Sequence, residues 1–296
     1  MITDAQWAYL LRTRATKPYV IADRYADRKR RESLLSGSGT VFLVAADHTA
    51  RGAMGVPGDP TAMVNRREML DRLVTALANP AVDGVLGTPD VVEELLLLDA
   101  LHNKIVIGSM NRGGLAGAEW EIDDRFTAYT PKSIVDYRLD GGKMLLRLVD
   151  DDPGTIPTLH ACADAVTELA AREVMAMVEP LPYKRENGKL TLLKDTLSLA
   201  RATTVASALG ATSAYTWLKL PAAPDEVLDA TTLPTVVLGG VPSGNTEDDI
   251  ASWGRALRHQ VVRGLVVGRT LLYPPDGDVA KAVDSAAKVL REGVPG

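Results

Sequence analysis

The chain has 296 residues, 46% of them hydrophobic, with 25 glycines and 17 prolines, a length that an α/β barrel commonly fills as one unit. Its formal charge of -5, from 33 basic and 38 acidic side chains, argues against nucleic acid as a partner. The lone cysteine, Cys162, excludes an internal disulfide framework and a thiolate-rich metal site. The N-terminus lacks a signal-peptide core and no apolar run reaches bilayer-spanning length, so a soluble cytoplasmic protein without a membrane partner is expected.

Residues 3 to 34 read as one or two helices, with Asp4 as candidate N-cap and a break near Lys17-Pro18. With the SGSG punctuation at 36 to 39 they suggest an N-terminal helical extension, 1–37, ahead of a catalytic domain over 38–296. The basic run DRYADRKRRES, 23 to 33, reads as the solvated face of that extension, carrying its own acids.

VFLVAA is a continuous apolar run that stops at Asp47-His48, the pattern of a buried parallel strand delivering polar groups at its C-terminal end. A helix follows in NRREMLDRLVTALANP, and the unit then repeats. VDGVLGTPD and KIVIGSMNRGG supply strands two and three, the latter opening a loop with Asn111 and Arg112. A long excursion, AEWEIDDRFTAYT, leads to a helix at PKSIVDYRLDG, and GGKMLLRLVDDDP is strand four. EVMAMVEPLPYKR is strand five, with a helix read over LTLLKDTLSLARATTVASALG, and AYTWLKLP is strand six. TLPTVVLGGVPSG and RGLVVGRTLLYP complete eight strand candidates, each with a helical partner, as a closed (β/α)8 TIM barrel requires. The rival open sheet would carry a GxGxxG loop after strand one, which AADHTARGAMG is not.

The ends of such strands share one mouth. Lys219, flanked by Trp217, Leu218 and Leu220, is an amine at the far end of an apolar run. Enclosed by apolar groups or set near a second ammonium, a lysine loses its proton more readily, and the neutral amine attacks carbonyls. The alternative is a strand-end lysine snorkelling to solvent or paired to an acid. Glu179 follows VMAMV and suits proton transfer, or a salt bridge. Lys143 precedes MLLRLV, a position that reads as facing out at the bottom of the barrel. Asp47 is placed to orient a sugar hydroxyl or pair with Lys143. The four histidines do not cluster at metal-ligand spacing, so no metal is expected. Gly239 and Gly240 in LGGVPSGN, and Gly268 and Arg269 in VVGRTLLY, mark the last two strands as a phosphate seat, or as tightly shaped loops.

AADHT, KMLLRLVDDDP, VEPLPY, WLKLP, LGGVPSG and VVGRTLL, in this order, resemble the class I (Schiff-base) aldolases of the tagatose-bisphosphate, deoxyribose-phosphate and fructose-bisphosphate aldolase-like group, over nearly all of residues 38 to 285. The resemblance implies a Schiff base on Lys219, electrostatic help from Lys143 in place of the bottom-of-barrel reading, proton transfer by Glu179, Asp47 in the substrate pocket and phosphate held by the glycines. It also implies that no cofactor is needed. The chain departs from that group at His48-Thr49 and at NRGG after strand three. More narrowly it is similar to an actinobacterial branch found beside inositol-catabolism genes, which implies cleavage of 2-deoxy-5-keto-D-gluconate 6-phosphate to dihydroxyacetone phosphate and malonate semialdehyde. Arg112 or His48 would then meet the substrate carboxylate. A homo-oligomer acting on a phosphorylated sugar is expected, with a sugar-phosphate isomerase or epimerase, or a non-catalytic sugar-phosphate binding protein, as alternatives.

Overall fold

The computed structural model describes residues 1–35 and 37–293, so Ser36 of the SGSG punctuation and the end of the 38–296 span lie outside the described residues. Two helices come first, α1 (Asp4–Thr16) and α2 (Tyr19–Asp27), parted at the expected Lys17-Pro18 break. The cap of α1 is Thr3, not Asp4: its side chain accepts from the Gln6 amide while the Gln6 side chain returns to the Thr3 amide, a reciprocal pair that leaves Asp4 as the first helical residue.

The strands and helices then alternate as β1 (Val41–Ala46), α3 (Arg66–Ala78), β2 (Gly84–Gly87), α4 (Pro89–Leu97), β3 (Ile105–Ser109), α5 (Pro131–Asp136), β4 (Gly141–Leu148), α6 (Thr155–Ala170) and β5 (Met175–Glu186). They continue as β6 (Lys189–Leu192), α7 (Thr196–Ser207), β7 (Thr216–Pro221), α8 (Asp225–Leu228), β8 (Thr235–Leu238), α9 (Thr246–Ala256), β9 (Val262–Val267), α10 (Arg269–Leu272) and α11 (Val279–Gly293). Parallel pairing runs β4-β3-β2-β1-β9-β8-β7-β5, and β5 pairs back onto β4, closing an eight-stranded (β/α)8 barrel. Among the described residues no helix is long and apolar enough to cross a membrane.

Alternate residues of each strand face the barrel axis. Val41, Leu43, Ala45, Leu86, Ile107, Met177, Val236 and Val266 fill that interior, while the opposite faces join the helices in the larger outer core. Gly264 is required where β9 meets β1: a Cβ there would lie 1.8 Å from the Val41 carbonyl oxygen.

Two further stretches differ from their reading in the sequence. LTLL is not the start of a helix; residues 189–192 form β6, antiparallel to β5, and the helix begins only at Thr196. Asn187 and Gly188, both at positive φ (51° and 77°), make the tight turn between them. The basic run is not a solvated helix face, because α2 ends at Asp27 and the arginines beyond it dock under the barrel. Arg28 is buried, donating to the Lys104 carbonyl at 2.9 Å and pairing with Asp140 at 3.2 Å. Arg30 also reaches Asp140, and Arg31 reaches Asp83. Asp83, Lys104 and Asp140 immediately precede β2, β3 and β4, so these arginines hold the N-terminal ends of three strands.

Candidate active site

The polar groups converge at the other end of the strands. Asp47 follows the last residue of β1, Glu179 is an inward position of β5, and Lys219 is an inward position of β7. Lys219 Nζ donates to Glu179 Oε1 at 2.8 Å, and Lys143 Nζ lies 2.5 Å from Glu179 Oε2. Lys143 Nζ also reaches Asp47 Oδ2 at 3.3 Å. Arg112 Nη1 meets the same Asp47 oxygen at 3.0 Å. Five charges of alternating sign therefore run Arg112, Asp47, Lys143, Glu179, Lys219 across the inside of the barrel. Each is at most 8% exposed.

Lys143 does not face out at the bottom. It is the third residue of β4, but β4 starts late relative to its neighbour, so Lys143 is level with Ser109, the last residue of β3. The stagger that closes a barrel raises it to the height of the other polar groups.

Burial opposes ionisation of Glu179, and the two flanking ammonium groups override it, holding the carboxyl down at about 2. Asp47 follows the same logic: burial pushes it up, while Arg112 and Lys143 bring it well below the usual carboxylate range. Burial lowers Lys143, and nearby Arg112 and Lys219 add to that, against the pull of Asp47 and Glu179.

His48 and Arg269 are half-buried beside this cluster. Burial brings the His48 ring down to about 4, which leaves it neutral at neutral pH, and its Nδ1 is enclosed without a hydrogen-bond partner among the described residues. Arg269 donates Nη1 to the Gly55 carbonyl at 3.3 Å, and its Nε has no partner among the described residues. Gly268 gives the His48 ring its space, since a Cβ there would lie 2.5 Å from His48 Cε1. Gly239 and Gly240 follow β8, next to Gly268 and Arg269 at the end of β9.

Asn111, read from the sequence as a polar residue after strand three, joins the site together with Ser109, Arg51, Asp124 and Arg147, which were not singled out. Ser109 Oγ donates to Asp47 Oδ2 at 2.9 Å. The Asn111 side chain bonds the Leu145 backbone in both directions, at 2.6 and 2.8 Å, extending the β3–β4 pairing beyond Ser109. Arg51 donates to the carbonyls of Gly114 at 2.8 Å and Asn111 at 2.7 Å and pairs with Asp124. Arg147 pairs with Glu121 and also donates to the Gly114 carbonyl, so two arginines fasten the long excursion after β3.

A cavity of about 640 Å³ on the same face, lined by Asn65, Arg72, Thr270 and Tyr273 among others, includes none of the five charged residues. The chemistry of the side chains, not cavity volume, marks the candidate site. Among the described residues no three His, Cys, Asp or Glu side chains group as metal ligands. Cys162 is fully buried on α6, where burial pushes its thiol up to about 12, the mark of a packing residue.

The fold and the buried lysine pair define a TIM barrel with its ionisable groups inside the C-terminal mouth. The chain belongs to the Cgl0159-like family, which it matches over residues 39–287. The crystal structure of Cgl0159 from Corynebacterium glutamicum is 47% identical, covers 99% of both chains and superposes with a TM-score of 0.96. An archaeal fructose 1,6-bisphosphate aldolase shares the fold at 14% identity, over 92% of this chain and 100% of that one, with a TM-score of 0.65. So does an archaeal fructose-1,6-bisphosphate aldolase with its catalytic Lys covalently bound to the carbinolamine intermediate of the substrate, at 15% identity over 91% and 99% of the two chains, TM-score 0.61. Among curated proteins none matches the chain.

Proposed function

We propose that the chain is a class I aldolase that cleaves a phosphorylated keto sugar or keto-deoxy sugar acid through a Schiff base on Lys219. The observation that carries this reading is the buried Lys219–Glu179–Lys143 array, with contacts of 2.8 and 2.5 Å. Two amines share one carboxylate in an enclosed barrel, which gives a nucleophile, an acceptor for its proton and a second positive charge beside both.

The Lys219 proton is relayed through Glu179 to water along their hydrogen bond, and the neutral amine adds to the substrate ketone. The carbinolamine loses water to form an iminium. A base removes the proton of the hydroxyl beyond the scissile bond, the carbon–carbon bond breaks, and its electron pair flows into the iminium to give an enamine and a free aldehyde. Protonation of the enamine and hydrolysis release the ketone and restore Lys219. Glu179 carries these protons, directly or through water. Lys143 stabilises Glu179 as carboxylate, and Asp47 orients a substrate hydroxyl. Gly239, Gly240, Gly268 and Arg269 hold the phosphate at the ends of β8 and β9, with His48 alongside. The iminium is the electron sink, so no step calls on a metal or organic cofactor.

The specific substrate proposed is 2-deoxy-5-keto-D-gluconate 6-phosphate, with dihydroxyacetone phosphate and malonate semialdehyde as products, in a homo-oligomer. A coupled assay for dihydroxyacetone phosphate, run over phosphorylated ketoses and keto-deoxy sugar acids, tests it. At least one substrate is expected to release the triose phosphate, and Lys219→Ala is expected to lose that activity by several orders of magnitude. Aldose–ketose exchange without release would instead identify an isomerase, and full activity in Lys219→Ala would end the Schiff-base reading.

A further inference from the structure

We infer that Arg112 is a positioning residue that fixes the Asp47 carboxylate against Lys143, and is not an anchor for substrate. This rests on the aldolase reading of the lysine cluster.

Arg112 is committed on two sides. Its Nη1 meets both the Asp47 carboxylate at 3.0 Å and the Asp47 backbone carbonyl at 3.1 Å, so it holds the side chain and the end of β1 together. Its Nε donates to its neighbour, the Asn111 carbonyl, at 2.8 Å. The remaining nitrogen, Nη2, is enclosed by protein and has no hydrogen-bond partner among the described residues. At 5% exposure the guanidinium presents no free edge to a ligand at the mouth. A residue meant to grip a substrate carboxylate would offer two parallel donors; here one terminal nitrogen is occupied and the other is shut in.

The support behind Arg112 is itself rigid. The Asn111 carbonyl that receives Nε also receives Arg51 Nη2 at 2.7 Å, and the Asn111 side chain is bonded to β4 at Leu145. Arg51 in turn is paired with buried Asp124. On the other side, Asp47 Oδ2 takes all the contacts to that carboxylate: Ser109 Oγ at 2.9 Å, Arg112 Nη1 at 3.0 Å and Lys143 Nζ at 3.3 Å. Oδ1 takes no hydrogen bond from any described residue. The carboxylate is thereby locked in one rotamer, with one oxygen holding Lys143 and the other unengaged. Removing Arg112 frees Asp47 to turn, and Lys143 loses the partner that holds it opposite Glu179.

Two measurements on Arg112→Ala and Arg112→Lys separate positioning from anchoring. The first is the rate of borohydride trapping of dihydroxyacetone phosphate on Lys219, as a function of its concentration. That ketone has a phosphate but no carboxylate, so an anchor for a substrate carboxylate is irrelevant to it. Positioning predicts a fall on the order of 10²-fold in the maximal trapping rate for Arg112→Ala, with a half-saturating concentration within about 3-fold of the parent and partial recovery in Arg112→Lys. A parental rate in both variants, or a loss confined to half-saturation, overturns the inference.

The second is stability against pH, which needs no turnover. Asp47 faces Arg112, Lys143, Lys219, His48 and Arg269. Its folded carboxyl titrates below the unfolded one, so it stabilises the fold above the unfolded value, and that contribution is lost as pH falls through the folded value. Without Arg112 the loss is expected at higher pH than in the parent. An unshifted acid limb in both variants contradicts the inference. If the parent traps no ketone at all, the aldolase reading fails, and the acid limb then tests only whether Arg112 holds the Asp47 carboxylate.

Discussion

Glu179 has one ammonium group on each oxygen, and its titration is where the cluster becomes measurable. The unfolded carboxyl titrates near the ordinary 4.5 and the folded one near 2, so between these values the unfolded chain binds the extra proton and stability falls as pH falls. The contribution is complete above about 4.5 and amounts to roughly 3 kcal/mol at about 1.4 kcal/mol per pH unit. Denaturant titrations from pH 2 to 6 are expected to show a shallower acid dependence in Glu179→Gln than in the parent. Parallel curves would mean that Glu179 is not held as a carboxylate. Glu179 and Lys219 were legible in the sequence because each ends an apolar run, where a charge stands out. Lys143 was misplaced by position alone, because distance along a strand does not reveal how far the strand is staggered against its neighbour. Ser109 gave no signal, since a serine at a strand end is ordinary until an aspartate 62 residues away is found on its hydroxyl.

At the scale of elements, the eight barrel strands were legible from continuous apolar runs, and the helices from their spacing. The β5–β6 hairpin was not read, although Asn187-Gly188 is a strong hairpin signal; the leucines of LTLL were absorbed into the helix that starts at Thr196. The arginines at 28, 30 and 31 look like a surface run because their acids, Asp83 and Asp140, are more than 50 residues away in sequence. Two glycines show how strongly the elements constrain their residues. Gly264→Ala places a methyl 1.8 Å from the Val41 carbonyl oxygen and is expected to cost more than about 3 kcal/mol by forcing β1 and β9 apart. Gly254→Ala, in α9, meets only Val289 Cγ1 at 3.6 Å and is expected to be neutral or to stabilise by up to about 1 kcal/mol. Thermal denaturation of the two variants checks both, and a mild Gly264→Ala would contradict the tight β1–β9 approach.

The whole molecule divides its charges between the two ends of the barrel. At the N-terminal end, arginines of the leading segment pair with acids that precede the strands, an arrangement that ties the segment to the barrel. At the C-terminal end, three cations and two carboxylates are buried together, leaving one positive charge in excess. A buried array of this kind is poor value for stability alone, and strongly perturbed, mutually coupled groups of this kind concentrate at functional sites. The central proposal is that Lys219, acting as the neutral amine, is the nucleophile. Its most direct test is borohydride reduction of the protein with dihydroxyacetone phosphate, followed by peptide mass mapping. One reduced adduct per chain is expected, on Lys219, absent from Lys219→Ala. An adduct on another lysine, or none with this or any other phosphorylated ketose, would contradict it.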